Sequence, residues 1–228
     1  MCRFLLVRSK DKIKPEKLLR DFAVMCQKSH APDGDWQGDG WGIALRQRSG
    51  QASIKETKWE VYKSLKPIWE DTDKFQQFGE TVIFVAHARS SGFPQQKGVI
   101  EYNQPYVSDN LCFVFNGMIR GVTLPIPLEG KIGAQKIFSL ILQKMYEKEM
   151  GEVLQEVDKL IMSNAKKVEG MNIGVVFNDK FYVLCEYENN TEYFGVKYFQ
   201  DESLSLICSE PIGEYDWKVM KKGEVLVI

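Results

Sequence analysis

The stretch Met1-Cys2-Arg3-Phe4-Leu5-Leu6-Val7 decides how this chain is read. Residues 2–7 form a short apolar run that gives way at once to charge, which reads as a strand. Its first residue is a cysteine directly behind Met1. Methionine is commonly removed before a small residue, and cysteine is small enough. Removal leaves Cys2 with a free α-amino group of pKa about 7.7–8.0 beside a thiol of about 8.5. A nucleophile and a base of nearly matched pKa then share one residue, and the amine can take the thiol proton and later pass it to a leaving amine. With Met1 retained, the same nitrogen is an amide and no base. Cys2 can also simply begin an edge strand, and the motif alone does not choose.

Outward from that strand, 41–46, 81–87 (TVIFVAH) and 111–115 (LCFVF) read as further short strands. A second series follows at 172–177, 180–185, 193–198, 204–208, 217–220 and 224–228. Asn178-Asp179 lies between the first two of these and suits a two-residue hairpin turn, since both residues tolerate positive φ. Helical spacing is clearest over 133–149, where Ala134, Ile137, Phe138, Ile141, Leu142 and Met145 make one stripe. A second helix is expected behind Gly151, a third from Pro15, and a short one near 60–69 carrying Val61, Tyr62, Leu65 and Trp69. Clustered strands and clustered helices without βαβ alternation predict an α+β fold. No linker or repeat interrupts it, so one domain over 1–228 is expected.

Composition narrows the function. The 228 residues are 44% hydrophobic and 27% charged, ordinary for a globular chain. Thirty Lys+Arg against thirty-one Asp+Glu leave no field that would attract nucleic acid or an anionic membrane. No apolar run reaches the roughly 20 residues of a membrane span, and no cleavable signal is visible. Five scattered cysteines and two histidines argue against a zinc site or a disulfide scaffold. A cytoplasmic location is the expectation. Cys26, Cys112, Cys185 and Cys208 read as small buried hydrophobes.

Three segments can carry chemistry besides Cys2. His87-Ala88-Arg89-Ser90-Ser91 closes an apolar strand with polar groups. Arg89 can take a carboxylate in bidentate geometry, or it can be a surface arginine. His87 reads as a structural histidine before a proton shuttle. At Asn116-Gly117, a side-chain amide and a backbone N–H can converge on one oxygen, as in an oxyanion hole, or the pair can be a plain turn. Gly38-Asp39-Gly40-Trp41-Gly42-Ile43 has neither a phosphate-loop ending nor dinucleotide-binding spacing, so its glycines imply tight turning or close backbone packing. Asn103-Gln104-Pro105-Tyr106 reads as a turn.

In this order, Met1-Cys2-Arg3, Gly38–Ile43, His87-Ala88-Arg89, Asn103–Tyr106, Asn116-Gly117 and Ser209-Glu210-Pro211 resemble the class II glutamine amidotransferases. These are N-terminal nucleophile (Ntn) hydrolases. The likeness is to their small stand-alone branch, which includes γ-glutamyl amide hydrolases, and it runs the length of the chain. The resemblance implies a four-layer αββα sandwich of two antiparallel sheets between helix layers. It implies Cys2 as nucleophile, its own amine as base, and Asn116 with Gly117 as oxyanion hole. Arg89 would hold the substrate α-carboxylate, with His87 and Ser91 beside it and Asp39 supporting the turn near the N-terminus. The implied substrate is glutamine or a γ-glutamyl amide. The implied products are glutamate and ammonia or an amine, released through a glutamyl-thioester with no cofactor or metal. A separate ammonia-accepting synthase subunit is a conceivable partner.

The sequence departs from that pattern in places. Relatives carry an acid that pairs with the substrate α-ammonium where this chain has Gly133. A contact to a charged group is worth about 1.5–3 kcal/mol. Another acid can replace it, with Asp109 and Glu101 as candidates; the substrate can lack a free amino group; or glutamine binds poorly. Phe115 and Gln104 stand where relatives often have histidines. A non-catalytic binding module on the same fold, and an acylase for another amide, are the competing readings.

Overall fold

The computed structural model describes residues 1–31, 34–46, 58–146 and 148–228, with the backbone alone at Gln47. All its strand pairs are antiparallel. The strands are β1 (Arg3–Ile13), β2 (Trp41–Gln47), β3 (Lys58–Ser64), β4 (Thr81–Ala88), β5 (Tyr106–Ser108) and β6 (Leu111–Arg120). They continue as β7 (Lys167–Phe177), β8 (Lys180–Cys185), β9 (Lys197–Gln200), β10 (Leu204–Cys208), β11 (Lys218–Val219) and β12 (Glu224–Val227). The helices are α1 (Glu16–Lys28), α2 (Gly133–Lys144), α3 (Met150–Asn164) and the single turn α4 (Thr191–Phe194). One sheet has the order β11-β9-β10-β1-β4-β2-β3 and the other β12-β8-β7-β6-β5.

Alternation along the strands sorts the core into three slabs. Leu5, Val7, Phe84 and Ala86 face α1, where Leu19, Phe22 and Cys26 meet them. Phe4, Leu6, Val85 and Ile83 face the other sheet and pack on Cys112, Val114, Val176 and Val183. Leu111, Phe113, Ile173 and Val175 face α2 and α3, represented by Ile137, Leu140, Val153 and Val157. The order is helix, sheet, sheet, helix, as expected. Both sheets are covered on both faces, which is why β1, β4 and β6 read as continuous apolar runs rather than alternating ones. The hairpin at Asn178-Asp179 forms with positive φ at both residues.

Three expectations need correction. Residues 60–69 are not a helix: β3 occupies Lys58–Ser64 and only a short 3-10 turn follows at Ile68–Glu70. Pairing with β2, from Trp41 opposite Ser64 to Gln47 opposite Lys58, satisfies the backbone and overrides the weak helical spacing. The segment expected as a strand over 193–198 opens inside α4, and β9 starts only at Lys197. Helix α2 stops at Lys144, short of the expected 149. Strand pairing prepares the site: Arg3 on β1 lies opposite Ala88 on β4, and Ala88 also lies opposite Trp41 on β2. Cys2, Arg89 and Gly40 therefore leave one end of the first sheet together.

Candidate active site

Cys2 sits where β1 begins. Its Sγ accepts the Ser90 N–H at 3.4 Å and lies 3.5 Å from the Ser90 carbonyl oxygen. Burial pushes the thiol pKa up, against the pull of the nearby ammonium, the Ser90 hydrogen bond and Arg89. The strand start is pinned by Arg3, fully buried, with its guanidinium 3.5 Å from the Tyr193 ring centroid. Arg3 hydrogen-bonds Ser29 and pairs with Glu210, and the Ser209 hydroxyl accepts the Phe4 N–H. The Ser209-Glu210 segment thus anchors the strand that carries the thiol.

The Met1 ammonium is bound by the Asp35 carboxylate, which also accepts the Ser90 hydroxyl proton. Burial would raise the Asp35 carboxyl, yet these donors outweigh it and hold its pKa below the usual value. Sequence reasoning missed Asp35. It lies in a loop rich in Asp and Gly, and nothing local separates it from the other aspartates there.

Arg89 is 3% exposed, and its guanidinium is held from behind. It donates to the Gln96 carbonyl at 2.8 Å, the Ser91 hydroxyl at 3.3 Å and the Asn103 side-chain oxygen at 3.4 Å. Tyr102 lies beneath it, ring centroid 5.7 Å away. No described carboxylate pairs with it: Asp39, the nearest by chain logic, accepts the Ser91 N–H at 2.7 Å and pairs with Lys97 at 3.1 Å. Ser91 and Asp39 thus brace the turn behind Arg89.

Two glycines explain the dense run at 38–43. A Cβ on Gly40, whose φ is +123°, would lie 2.3 Å from the Asn103 amide nitrogen; one on Gly42 would lie 2.4 Å from the Gln104 carbonyl oxygen. Segment 103–104 therefore packs directly on the β2 backbone, as only glycine permits.

From there Gln104 reaches the second sheet. Its Oε1 accepts the Phe115 N–H at 2.6 Å, and its amide nitrogen lies 3.4 Å from the Phe115 carbonyl. The same carbonyl accepts from His87 Nε2 at 3.1 Å. Fully buried, His87 is driven down to a pKa of about 3 and is neutral. His87 stands as a strut between the sheets, outside the cavity lining. With Gln104 it clamps the residue before Asn116-Gly117; the part Gln104 plays was unread in the sequence.

Asn116 is fully buried, and neither its Oδ1 nor its Nδ2 has a hydrogen-bond partner among the described residues. By strand alternation it shares the inter-sheet face with Cys112 and Val114. At Gly117 a Cβ would lie 2.0 Å from the Gly170 carbonyl oxygen, so the two backbones touch.

One cavity of about 140 Å³ joins Cys2, Arg89 and Gly117, while Asn116, buried next to Gly117, is not among its lining residues. Met1, Cys2, Asp35, Arg89 and Ser90 form one side, and Phe115, Gly117, Met118, Ile132, Gly133 and Ile137 the other. Neither Glu101 nor Asp109, the acids considered as substitutes at Gly133, lines it; both are exposed, and Asp35 is the acid that does. Among the described residues no cluster of His, Cys, Asp or Glu could hold a metal ion, and no helix is long and apolar enough to cross a membrane.

No protein-family model and no curated protein matches the sequence. Solved structures do. A glutamine aminotransferase class-II domain protein from Silicibacter pomeroyi superposes with TM-score 0.63 at 15% identity, covering 100% of this chain and 94% of that one. The glutamine phosphoribosylpyrophosphate amidotransferase of B. subtilis gives TM-score 0.67 at 12% identity over 100% of this chain, which spans 47% of the larger protein. A predicted glutamine amidotransferase from Pseudomonas aeruginosa gives TM-score 0.52 at 13% identity, covering 99% and 96%. Two face-to-face antiparallel sheets between helix layers, shared along the whole chain with these proteins, give it the fold of the class II glutamine amidotransferases.

Proposed function

We propose that the protein is an amidohydrolase of the glutamine amidotransferase type, with Cys2 as its nucleophile. The substrate is the γ-carboxamide of glutamine or of a related γ-glutamyl amide. One observation carries this reading: the Cys2 thiol, the Arg89 guanidinium and Gly117 line the same small cavity. A buried cation without a carboxylate partner is costly, and a substrate carboxylate offsets that cost with two parallel hydrogen bonds.

Loss of Met1 opens the reaction. Met1 is itself part of the cavity lining, so its departure enlarges the space beside the thiol. The freed α-amine of Cys2 takes the thiol proton, which the buried thiol does not readily release to water. The thiolate attacks the carboxamide carbon, and charge develops on the oxygen. The Gly117 N–H in the cavity wall receives that charge, joined by the neighbouring Asn116 side-chain amide, which has no partner among the described residues. The C–N bond breaks, ammonia leaves with the proton from the amine, and water hydrolyses the thioester. The clamp of His87 and Gln104 on Phe115 keeps this donor pair in place, His87 from outside the cavity lining and Gln104 from within it. Ammonia is released directly or passed to a separate synthase subunit.

The test is glutamate release from glutamine and γ-glutamyl amides by protein whose intact mass shows Met1 removed. Cys2→Ala is expected to lower kcat at least about a thousandfold; equal rates in both proteins refute the assignment. A non-catalytic binding module is favoured by one feature, the Met1 ammonium seated on Asp35. An intact mass that retains Met1, with no turnover, selects that reading.

A further inference from the structure

At Gly133 the cavity offers a ligand's cation no acid. Arg89 already contributes an uncompensated positive charge. The amino end of α2 opens onto the same space through Gly133 and Ala134, and its first turn contains no acidic residue. The free N–H groups of such a helix end carry partial positive charge. The one carboxylate among the described lining residues, Asp35, sits beside the N-terminus and Ser90 rather than at Gly133, and loss of Met1 leaves it next to the freed Cys2 amine. An ammonium group placed over Gly133 would lose its water and gain no acid there in return.

The wall facing Arg89 is open instead. A Cβ built on Gly133 meets nothing within 4 Å. Behind it lies a second chamber of about 430 Å³, three times the volume of the first. The two share Ile119, Gly133 and Ile137 in their linings and so adjoin. This second cavity opens to solvent at the exposed Val122 and Thr123 and is otherwise largely apolar, lined by Leu124, Ile126, Leu128, Leu140 and Ile161, with Lys136 its single charged residue.

We infer that the substrate is an N-acylated γ-carboxamide amino acid, with an apolar acyl group on the α-nitrogen that passes over Gly133 into this second chamber. The inference deepens the proposed amidohydrolase function and rests on it. An acylated nitrogen is uncharged, which removes the conflict with Arg89 and the helix end. The carboxylate lies on Arg89, the carboxamide faces Cys2, and the acyl chain leaves water for Leu124, Leu128 and Ile161. In the reaction the Cys2 S–C bond forms, the C–N bond of the carboxamide breaks, and ammonia departs with the proton held by the Cys2 amine. Water then cleaves the thioester to N-acyl-glutamate and restores the thiol; no oxidant or reductant takes part.

The experiment compares glutamine, N-acetylglutamine and N-octanoylglutamine. Protein with Met1 removed is assayed for ammonia release, and Cys2→Ala is titrated with each ligand by calorimetry. Turnover (kcat/KM) and affinity are expected to rise in that order, by at least about tenfold from first to last. Gly133→Asp places a carboxylate in the open space. It is expected to raise glutamine turnover and lower N-octanoylglutamine turnover, each about tenfold. Leu128→Trp fills the chamber and is expected to erase the advantage of octanoyl over acetyl. Glutamine used and bound as well as N-octanoylglutamine overturns the inference and leaves the amidohydrolase reading standing. Ammonia from none of the three removes that reading, and the inference with it.

Discussion

The two sides of the Cys2 cavity are built differently. At the end of the first sheet Ser90 ties Cys2 to Asp35, while Ser91, Gln96 and Asn103 hold Arg89 from behind and Asp39 braces Ser91. On the second sheet and α2 the lining is Phe115, Met118, Ile119, Ile132 and Ile137, with open space at Gly133. Geometry that must hold to a fraction of an ångström needs many hydrogen bonds, because each removes a direction of motion. Selection among substrates by bulk needs only shape and apolar area. The polar side therefore carries the proposed chemistry and the apolar side the proposed selectivity. Asn116-Gly117 is the exception, a polar pair delivered from the apolar sheet by the His87–Gln104 clamp.

That exception is the place to break the comparison hardest. Asn116→Leu keeps the volume and removes two buried polar atoms that have no partner among the described residues. We expect kcat to fall about 100- to 1,000-fold, while stability in urea unfolding stays equal or rises. A variant as active as the wild type removes Asn116 from the reaction; one that is strongly destabilised shows that its amide has a structural bond after all.

The clamp is tested through pH. Buried His87 is neutral, its pKa lowered from 6.5 to about 3. The unfolded chain takes up a proton that the fold refuses, so this stability is whole above pH 6.5 and drains away as pH falls towards 3. Carboxyls held low by partners, such as Asp35, lose their contribution only below about pH 4. Unfolding free energy followed down from pH 7 should therefore decline well before the carboxyl range. In His87→Gln that early decline should vanish, after a loss of about 1–3 kcal/mol at neutral pH.

The smallest change sharpens the contrast on the braced side. Gly40→Ala sets a methyl against Asn103 at a φ of +123°. A cost of about 1–3 kcal/mol is expected. Because Asn103 also accepts from Arg89, KM for carboxylate-bearing substrates should rise more than kcat falls. A matching loss in the isosteric Gly79→Ala, where no atom lies within 4 Å, would show that the effect is generic.

Much of the architecture was legible because periodicity reports burial. The runs CRFLLV, TVIFVAH and LCFVF announced strands, which the structure covers on both faces, and the stripe from Ala134 to Leu142 announced α2. The failures fell where local pattern was weak and partners were distant. Residues 58–64 became a strand because β2 offered an edge, and α4 displaced the beginning of an expected strand. The candidate site divides in the same way. Cys2, Arg89 and Gly117 could be picked out by residue chemistry. Asp35, Gln104 and Asn103 could not, since an aspartate in a polar loop and amides in a turn look the same whether or not they are used.

What the amino-acid order determined alone is the set of reactive types and the covered strands, because side-chain chemistry and the two-residue repeat are local properties. Which of those groups share a cavity, which acid holds the N-terminus, and where an apolar chamber opens beside the thiol were decided by tertiary structure. Those relations depend on two sheets meeting face to face, and β1 and β6, whose ends meet there, lie about a hundred residues apart in the chain.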